Sequence, residues 1–181
     1  MKILVIKGSP HKNGSSNLLA EQFEQGAKEA GHEVVEFDTA RAKIAPCIAC
    51  DYCHKAETEG SCCQKDDMKI LKKEVIEADV LVFATPVYWH STSAQIKLAI
   101  DRMYAFYNQI SEGKKIVLLA AANNPNAHIM DPLVMTYKDI CHSLKGENAG
   151  MVLAFHCGTR EETEQSKYPE EAYELGKNIE K

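Results

Sequence analysis

The chain has 181 residues, 45% of them apolar, with a formal charge of −5 and a pI near 5.8. That length suits one domain, residues 1–181, with a proper core, and the charge argues against nucleic acid, which demands clustered Lys and Arg. No run approaches membrane-spanning length and the N-terminus enters a charged strand rather than a signal peptide, so a cytoplasmic protein with no membrane partner is expected.

Ile3 to Ile6 form a β-branched apolar run suited to a strand covered on both faces. Behind it Gly8 to Gly14 make a polar turn, and Ser15, Ser16 and Asn17 are placed to cap a helix over residues 15–30. A helix start offers free N–H groups and the positive dipole end, so this turn reads as a phosphate cradle formed by Ser9, His11, Asn13, Ser15, Ser16 and Asn17. Neither a P-loop nor a Gly-x-Gly-x-x-Gly fingerprint is present, which points away from nucleoside triphosphates and dinucleotides toward a mononucleotide.

Further strands are predicted at Glu33 to Phe37, Val80 to Ala84, Ile116 to Ala121 and Met151 to Phe155. Helices are predicted over residues 67–78, 93–107, 131–145 and 169–179, and the run Glu161, Glu162, Glu164 reads as a solvated loop face. This alternation calls for a doubly wound α/β fold, a five-stranded parallel sheet in the order 2-1-3-4-5 with helices on both faces. In that order the loops after strands one and three border a single crevice.

Thr85-Pro86-Val87-Tyr88-Trp89 follows the third strand. Pro86, Val87, Tyr88 and Trp89 supply a stiff turn and flat apolar surface for a planar ring. A phosphate cradle beside an aromatic slot matches the shape of FMN. Asn123, after strand four, and Cys157-Gly158-Thr159, after strand five, would complete the rim.

Five of the seven cysteines fall in an insertion at about residues 39–66. Cys47, Cys50 and Cys53 are spaced to converge on an iron–sulfur cluster or zinc, with Cys62 or Cys63 as a fourth donor; reduced, redox-active thiols are the alternative. Asp101-Arg102 is suited to a salt bridge holding the third helix or to an oligomer contact.

The Gly-Ser-Pro-His-Lys-Asn-Gly-Ser-Ser turn from Gly8, the cysteine triplet, Asp66-Asp67-Met68, the Thr85 to Trp89 motif, Ser93-Ala94 through Lys97, and Asp101-Arg102 occur in an order that resembles the flavodoxin-like, NAD(P)H-dependent FMN oxidoreductases. Within that group the cysteines resemble those of iron–sulfur flavoproteins. The resemblance implies a flavodoxin-like fold, one FMN per chain, NAD(P)H as electron donor, and assembly as a homodimer or homotetramer. It implies a small-molecule acceptor such as a quinone, free flavin, nitro or azo compound, or metal complex. A flavodoxin-type electron carrier is the alternative function. The chain departs from the family pattern at His11, where arginine is usual, at Ser15 and Ser16, at Ala49, and in the displaced last cysteine.

Overall fold

The computed structural model describes residues 1–180. Its sheet has the order β2-β1-β3-β4-β5, built from β1 (Lys2–Lys7), β2 (Glu33–Asp38), β3 (Val80–Pro86), β4 (Lys115–Ala121) and β5 (Glu147–Ala154), all parallel. The helices are α1 (Ser15–Glu29), α2 (Met68–Glu77), α3 (Ala94–Met103), α4 (Tyr107–Ile110), α5 (Asp131–Ser143), α6 (Arg160–Glu164) and α7 (Tyr168–Lys177).

Alternate side chains of each central strand face opposite sides of the sheet, so two cores form. On one side Leu19, Phe23 and Ala27 of α1 and Ala172 of α7 cover Ile3, Val5, Val82 and Val117. On the other, Leu71 of α2, Ile96 and Met103 of α3, and Leu133 and Tyr137 of α5 cover Leu4, Ile6, Leu81 and Leu118. Each such large side chain taken fully from water contributes about 1.5–3 kcal/mol. Helices α1 and α7 touch backbone to backbone at Gly26, where a Cβ would lie 2.1 Å from Tyr173 O.

Sheet order, parallel pairing and helices on both faces agree with the sequence expectation. Three local departures have physical causes. Strand β5 starts at Glu147, not Met151, because Asn148 and Gly150 enter the sheet through an irregularity opposite Ile116 and Val117. Gly150 adopts φ +135° there, and Asn148 Oδ1 accepts from Gly150 N–H. The third helix leaves α geometry after Met103, continuing as a 3₁₀ turn over Tyr104–Phe106 and then as α4. Residues 160–164 are helical rather than a loop, because Thr159 and Glu162 form a reciprocal capping box.

The fold brings the carboxyl ends of β1 and β3 side by side. Lys7 pairs with Ala84 and β3 runs on only to Pro86, so the chain leaves the two strands within two residues of one another at the same end of the sheet. The two departing loops border the point where the strand order reverses, the usual ligand position in such sheets.

Candidate functional site

The β1 loop folds around one carbonyl. The oxygen of His11 accepts from Gly14 N–H at 3.1 Å and from Asn17 Nδ2 at 2.9 Å, and His11 N–H donates to Ser9 Oγ at 3.2 Å. Gly14, not a serine, occupies the N-cap of α1, and it provides no side-chain cap. This corrects the expectation that Ser15, Ser16 and Asn17 cap the helix. Ser15 Oγ donates instead to Thr159 O at 2.9 Å, tying the β1 loop to the loop after β5. Ser16 Oγ is buried and has no hydrogen-bond partner. A buried hydroxyl without a partner costs free energy unless something outside the chain satisfies it.

Ser93 locks this loop to the one after β3. Its hydroxyl donates to Gly8 O at 2.6 Å, while its N–H donates to Thr85 Oγ1 at 3.0 Å. The same hydroxyl oxygen accepts from Ile96 N–H as the N-cap of α3. A Cβ on Gly8 would come within 2.7 Å of that oxygen, so the contact requires glycine. Sequence reasoning assigned Ser93 no part in the site, although a serine directly before a helical stripe is a cap signal.

The loops enclose a cavity of about 630 Å³. Ser9, His11, Asn13, Ser15 and Ser16 line it from the β1 side, and Pro86, Val87 and Tyr88 from the β3 side. Asn123 lines the rim after β4, and Cys157, Gly158 and Thr159 the rim after β5. Two residues assigned to the site from sequence lie elsewhere. Asn17 is buried behind the loop, bracing the His11 and Lys12 carbonyls. Trp89 is 96% exposed and is not among the residues that line the cavity, because the chain turns sharply after Tyr88.

Arg160 is a cavity residue the sequence did not signal. Glu21 of α1 pairs with its guanidinium at 2.7 Å and Glu164 at 2.9 Å, strengthening its hold on the charge. With Glu21 139 positions away in the chain, no local pattern announces the pairing.

The cysteine insertion packs beside α3. Cys47, Cys50, Cys53, Cys62 and Cys63 all line one cavity of about 140 Å³, together with Arg102. Cys50 and Cys63 have sulfurs 3.5 Å apart. Backbone and side-chain hydrogen bonds from Tyr52 and Cys63 lower the Cys50 thiol, whereas the Cys50 partner and burial raise Cys63. Among the described residues, no three Cys, His, Asp or Glu side chains converge on a point that would hold a metal ion.

Arg102, its side chain 1% exposed, pins the insertion to α3. It donates to Asp66 Oδ2 at 2.8 Å, to Ala45 O at 2.8 Å and to Cys62 Sγ at 3.3 Å. Burial works against the Asp66 carboxylate, but Arg102 and the Ala45 N–H hold its pKa below the ordinary range. Arg102 therefore makes the salt bridge expected for the Asp101-Arg102 pair, while Asp101 bonds to Lys97 within the helix.

A family model described as NADPH-dependent FMN reductase matches residues 1–138. An iron–sulfur flavoprotein of Archaeoglobus fulgidus is 34% identical over 129 residues, covering 69% of this chain and 57% of that protein. The chain spans about half the length of the curated iron–sulfur flavoproteins it matches. An NAD(P)H:quinone oxidoreductase from Methanothermobacter marburgensis superposes with a TM-score of 0.74 at 18% identity, covering 100% of this chain and 96% of that one. An FMN-dependent NADH-azoreductase of Bacillus anthracis, solved with FMN, superposes with a TM-score of 0.71 at 12% identity over 97% of each chain. At such identities the structural likeness speaks for the flavodoxin-like fold.

Proposed function

The chain belongs to the NADPH-dependent FMN reductase family, and on that footing we propose that it is an FMN-dependent oxidoreductase passing electrons from NAD(P)H to a small acceptor. One observation carries the reading: the uncapped start of α1 and the unpartnered Ser16 hydroxyl lie in a cavity that the β3 loop also walls. A phosphate satisfies both, since it accepts from the free N–H groups of the first turn and from the orphaned hydroxyl. Ser9, Asn13 and Ser15 line the same end, and Pro86, Val87 and Tyr88 offer the flat wall that a tricyclic ring requires.

FMN, when bound, supplies the hydride and electron transfer chemistry. The chain's own residues bind, orient and shield. Ser93 keeps the phosphate loop and the ring loop in register through Gly8 and Thr85. Val87 N–H is held by Ala121 O at 2.8 Å, which fixes the turn beneath Tyr88. No catalytic acid–base pair is assigned.

Titrating the purified protein with FMN and with riboflavin, followed by anaerobic NAD(P)H oxidation with a quinone, tests the reading. Tight FMN uptake, weak riboflavin uptake and sustained turnover are expected. FMN uptake with negligible turnover would identify an electron carrier instead. Equal affinity for FMN and riboflavin would remove the phosphate assignment. The same protein run in sedimentation velocity tests the expected dimer or tetramer.

A second reading concerns the cysteine cavity, where Cys47, Cys50, Cys53 and Cys62 would hold an iron–sulfur cluster or zinc. What favours it is that all four thiols border one space, with Arg102 donating to the Cys62 sulfur. Holding an ion there requires the thiols to draw together from their present places. Iron, acid-labile sulfide and zinc measured on anaerobically purified protein decide it, and absence of all three from FMN-loaded protein removes the reading.

A further inference from the structure

We propose that Cys50 and Cys63 are a reversible dithiol–disulfide pair whose reaction partner is a small-molecule disulfide. Both residues are exposed, both thiols are free, and their sulfurs stand 3.5 Å apart. A disulfide bond is about 2.05 Å long, so an approach of about 1.5 Å closes it. The meeting follows from the way the insertion folds back on itself. Lys43 N–H donates to Asp67 Oδ2 at 2.7 Å and Asp67 N–H to Lys43 O at 3.0 Å. Ala45 N–H donates to Asp66 Oδ2 at 3.1 Å, and Gln64 Nε2 to Pro46 O at 3.0 Å. These bonds hold the two ends of the insertion side by side in opposite directions, and the Cys50–Cys63 contact is the next one toward the tip.

The backbone is bent on both sides of Cys50. Ala49 has φ 50° and Asp51 φ 54°. Aspartate tolerates the left-handed region better than alanine, so Ala49 carries the greater strain, and backbone outliers of this kind cluster at functional sites. The adjacent cysteines Cys62 and Cys63 take different partners: Cys62 is half-buried and accepts from Arg102 Nη2 at 3.3 Å, while Cys63 meets Cys50. Cys53 packs with Cys62 against the core, and Cys141 and Cys157 are buried. Exposure and contact thus coincide at Cys50 and Cys63. In the exchange, one of the two thiolates attacks a sulfur of R–S–S–R, forming a mixed disulfide and releasing one RS⁻. The other thiolate attacks the protein sulfur of that mixed disulfide, forming the Cys50–Cys63 bond and releasing the second RS⁻. The two protons lost by the protein thiols end on the two RSH products; the pair is oxidised by two electrons and R–S–S–R is reduced by two. A dithiol reductant reverses the step. The bond takes Cys50 out of the donor set Cys47, Cys50, Cys53 and Cys62, so the disulfide and an ion held by all four exclude one another.

The test uses the purified chain, reduced and then freed of reductant under argon. It is equilibrated in glutathione buffers of rising oxidised-to-reduced ratio, quenched in acid, alkylated in denaturant and mapped by mass spectrometry. Alkylated cysteines are expected to fall from seven to five, with one linked peptide pair joining Cys50 to Cys63, and dithiothreitol is expected to restore all seven. C50S and C63S are expected to stop at a glutathione adduct on the remaining member of the pair, whereas C62S keeps the internal bond. Linkage of Cys50 to Cys47, Cys53 or Cys62 overturns the pair. So do glutathione adducts in the wild type without an internal bond, or seven alkylated cysteines at the most oxidising ratio. Iron or zinc still bound at that ratio, with Cys50 unoxidised, overturns it in favour of a metal site. None of these readouts passes through FMN, so the fate of the pair and that of the cofactor cavity are decided separately.

Discussion

Ser16→Ala isolates the phosphate assignment, because the Ser16 hydroxyl has no partner within the chain. Replacing it removes no intramolecular hydrogen bond and relieves a buried polar group, so FMN-free protein should melt at the wild-type temperature or slightly above. A hydrogen bond from that hydroxyl to a phosphate is charge-assisted and worth about 1.5–3 kcal/mol, which corresponds to about 10- to 100-fold in FMN affinity. Riboflavin, lacking the phosphate, should bind both proteins equally. Ser16→Asp sharpens the contrast: two negative charges about 4 Å apart repel by about 4 kcal/mol at an effective dielectric of 20, enough to abolish FMN binding at micromolar concentrations. Flavin fluorescence titrations and thermal melts with and without FMN give all four quantities. Wild-type FMN affinity in Ser16→Ala, or equal losses for FMN and riboflavin, would refute the placement of the phosphate at the start of α1.

Asp66→Asn leaves the Arg102 guanidinium, 1% exposed, without its carboxylate; a loss of about 3 kcal/mol is expected in urea unfolding, and a loss within about 0.5 kcal/mol would contradict the pinning role. Gly26→Ala forces α1 and α7 apart, since its Cβ would meet Tyr173 O at 2.1 Å, and should lower stability by about 1–3 kcal/mol in the same assay. Glu24 provides a pH test. Burial, then the neighbouring Glu36, pushes its carboxyl up to about 7, and Lys7 pairs with Glu36 beside it. Between the ordinary value of 4.5 and about 7 the folded state keeps a proton that the unfolded chain has released, so stability falls as pH rises through that window. Glu24→Gln should flatten the decline, by about 2 kcal/mol between pH 5 and pH 8, in melts compared at the two values. Parallel curves for the two proteins would show that Glu24 is not the group responsible.

The strands were legible because Ile3 to Ile6, Val80 to Ala84 and Ile116 to Ala121 are unbroken apolar runs, and only a sheet covered on both faces buries such runs completely. The position of the loop after β1 was legible for a related reason: a polar, glycine-bounded turn between such a strand and an amphipathic helix sets the free N–H groups of the helix start at the end of the sheet. What failed was local detail. Ser15 and Ser16 looked like caps, but the loop's wrap around the His11 carbonyl puts Gly14 at that position and leaves the serines facing the cavity and the β5 loop. Tyr88 and Trp89 looked equivalent, and only the left-handed turn separates them. The Thr159-x-x-Glu162 pattern of a capping box stands in the sequence, but the reading of Glu161, Glu162 and Glu164 as a solvated loop face passed over it.

By itself, then, the order of apolar and amphipathic segments dictated the layers, the strand order and the two loops that meet, because periodicity is a local property that each segment carries with it. Only the folded chain decided which partners those loops acquire. Arg102 finds Asp66 36 residues away, Ser93 finds Gly8 85 away, and Arg160 finds Glu21 139 away. Such pairs form where packing of the sheet and helices brings distant side chains within hydrogen-bond reach, and no spacing along the chain encodes that distance.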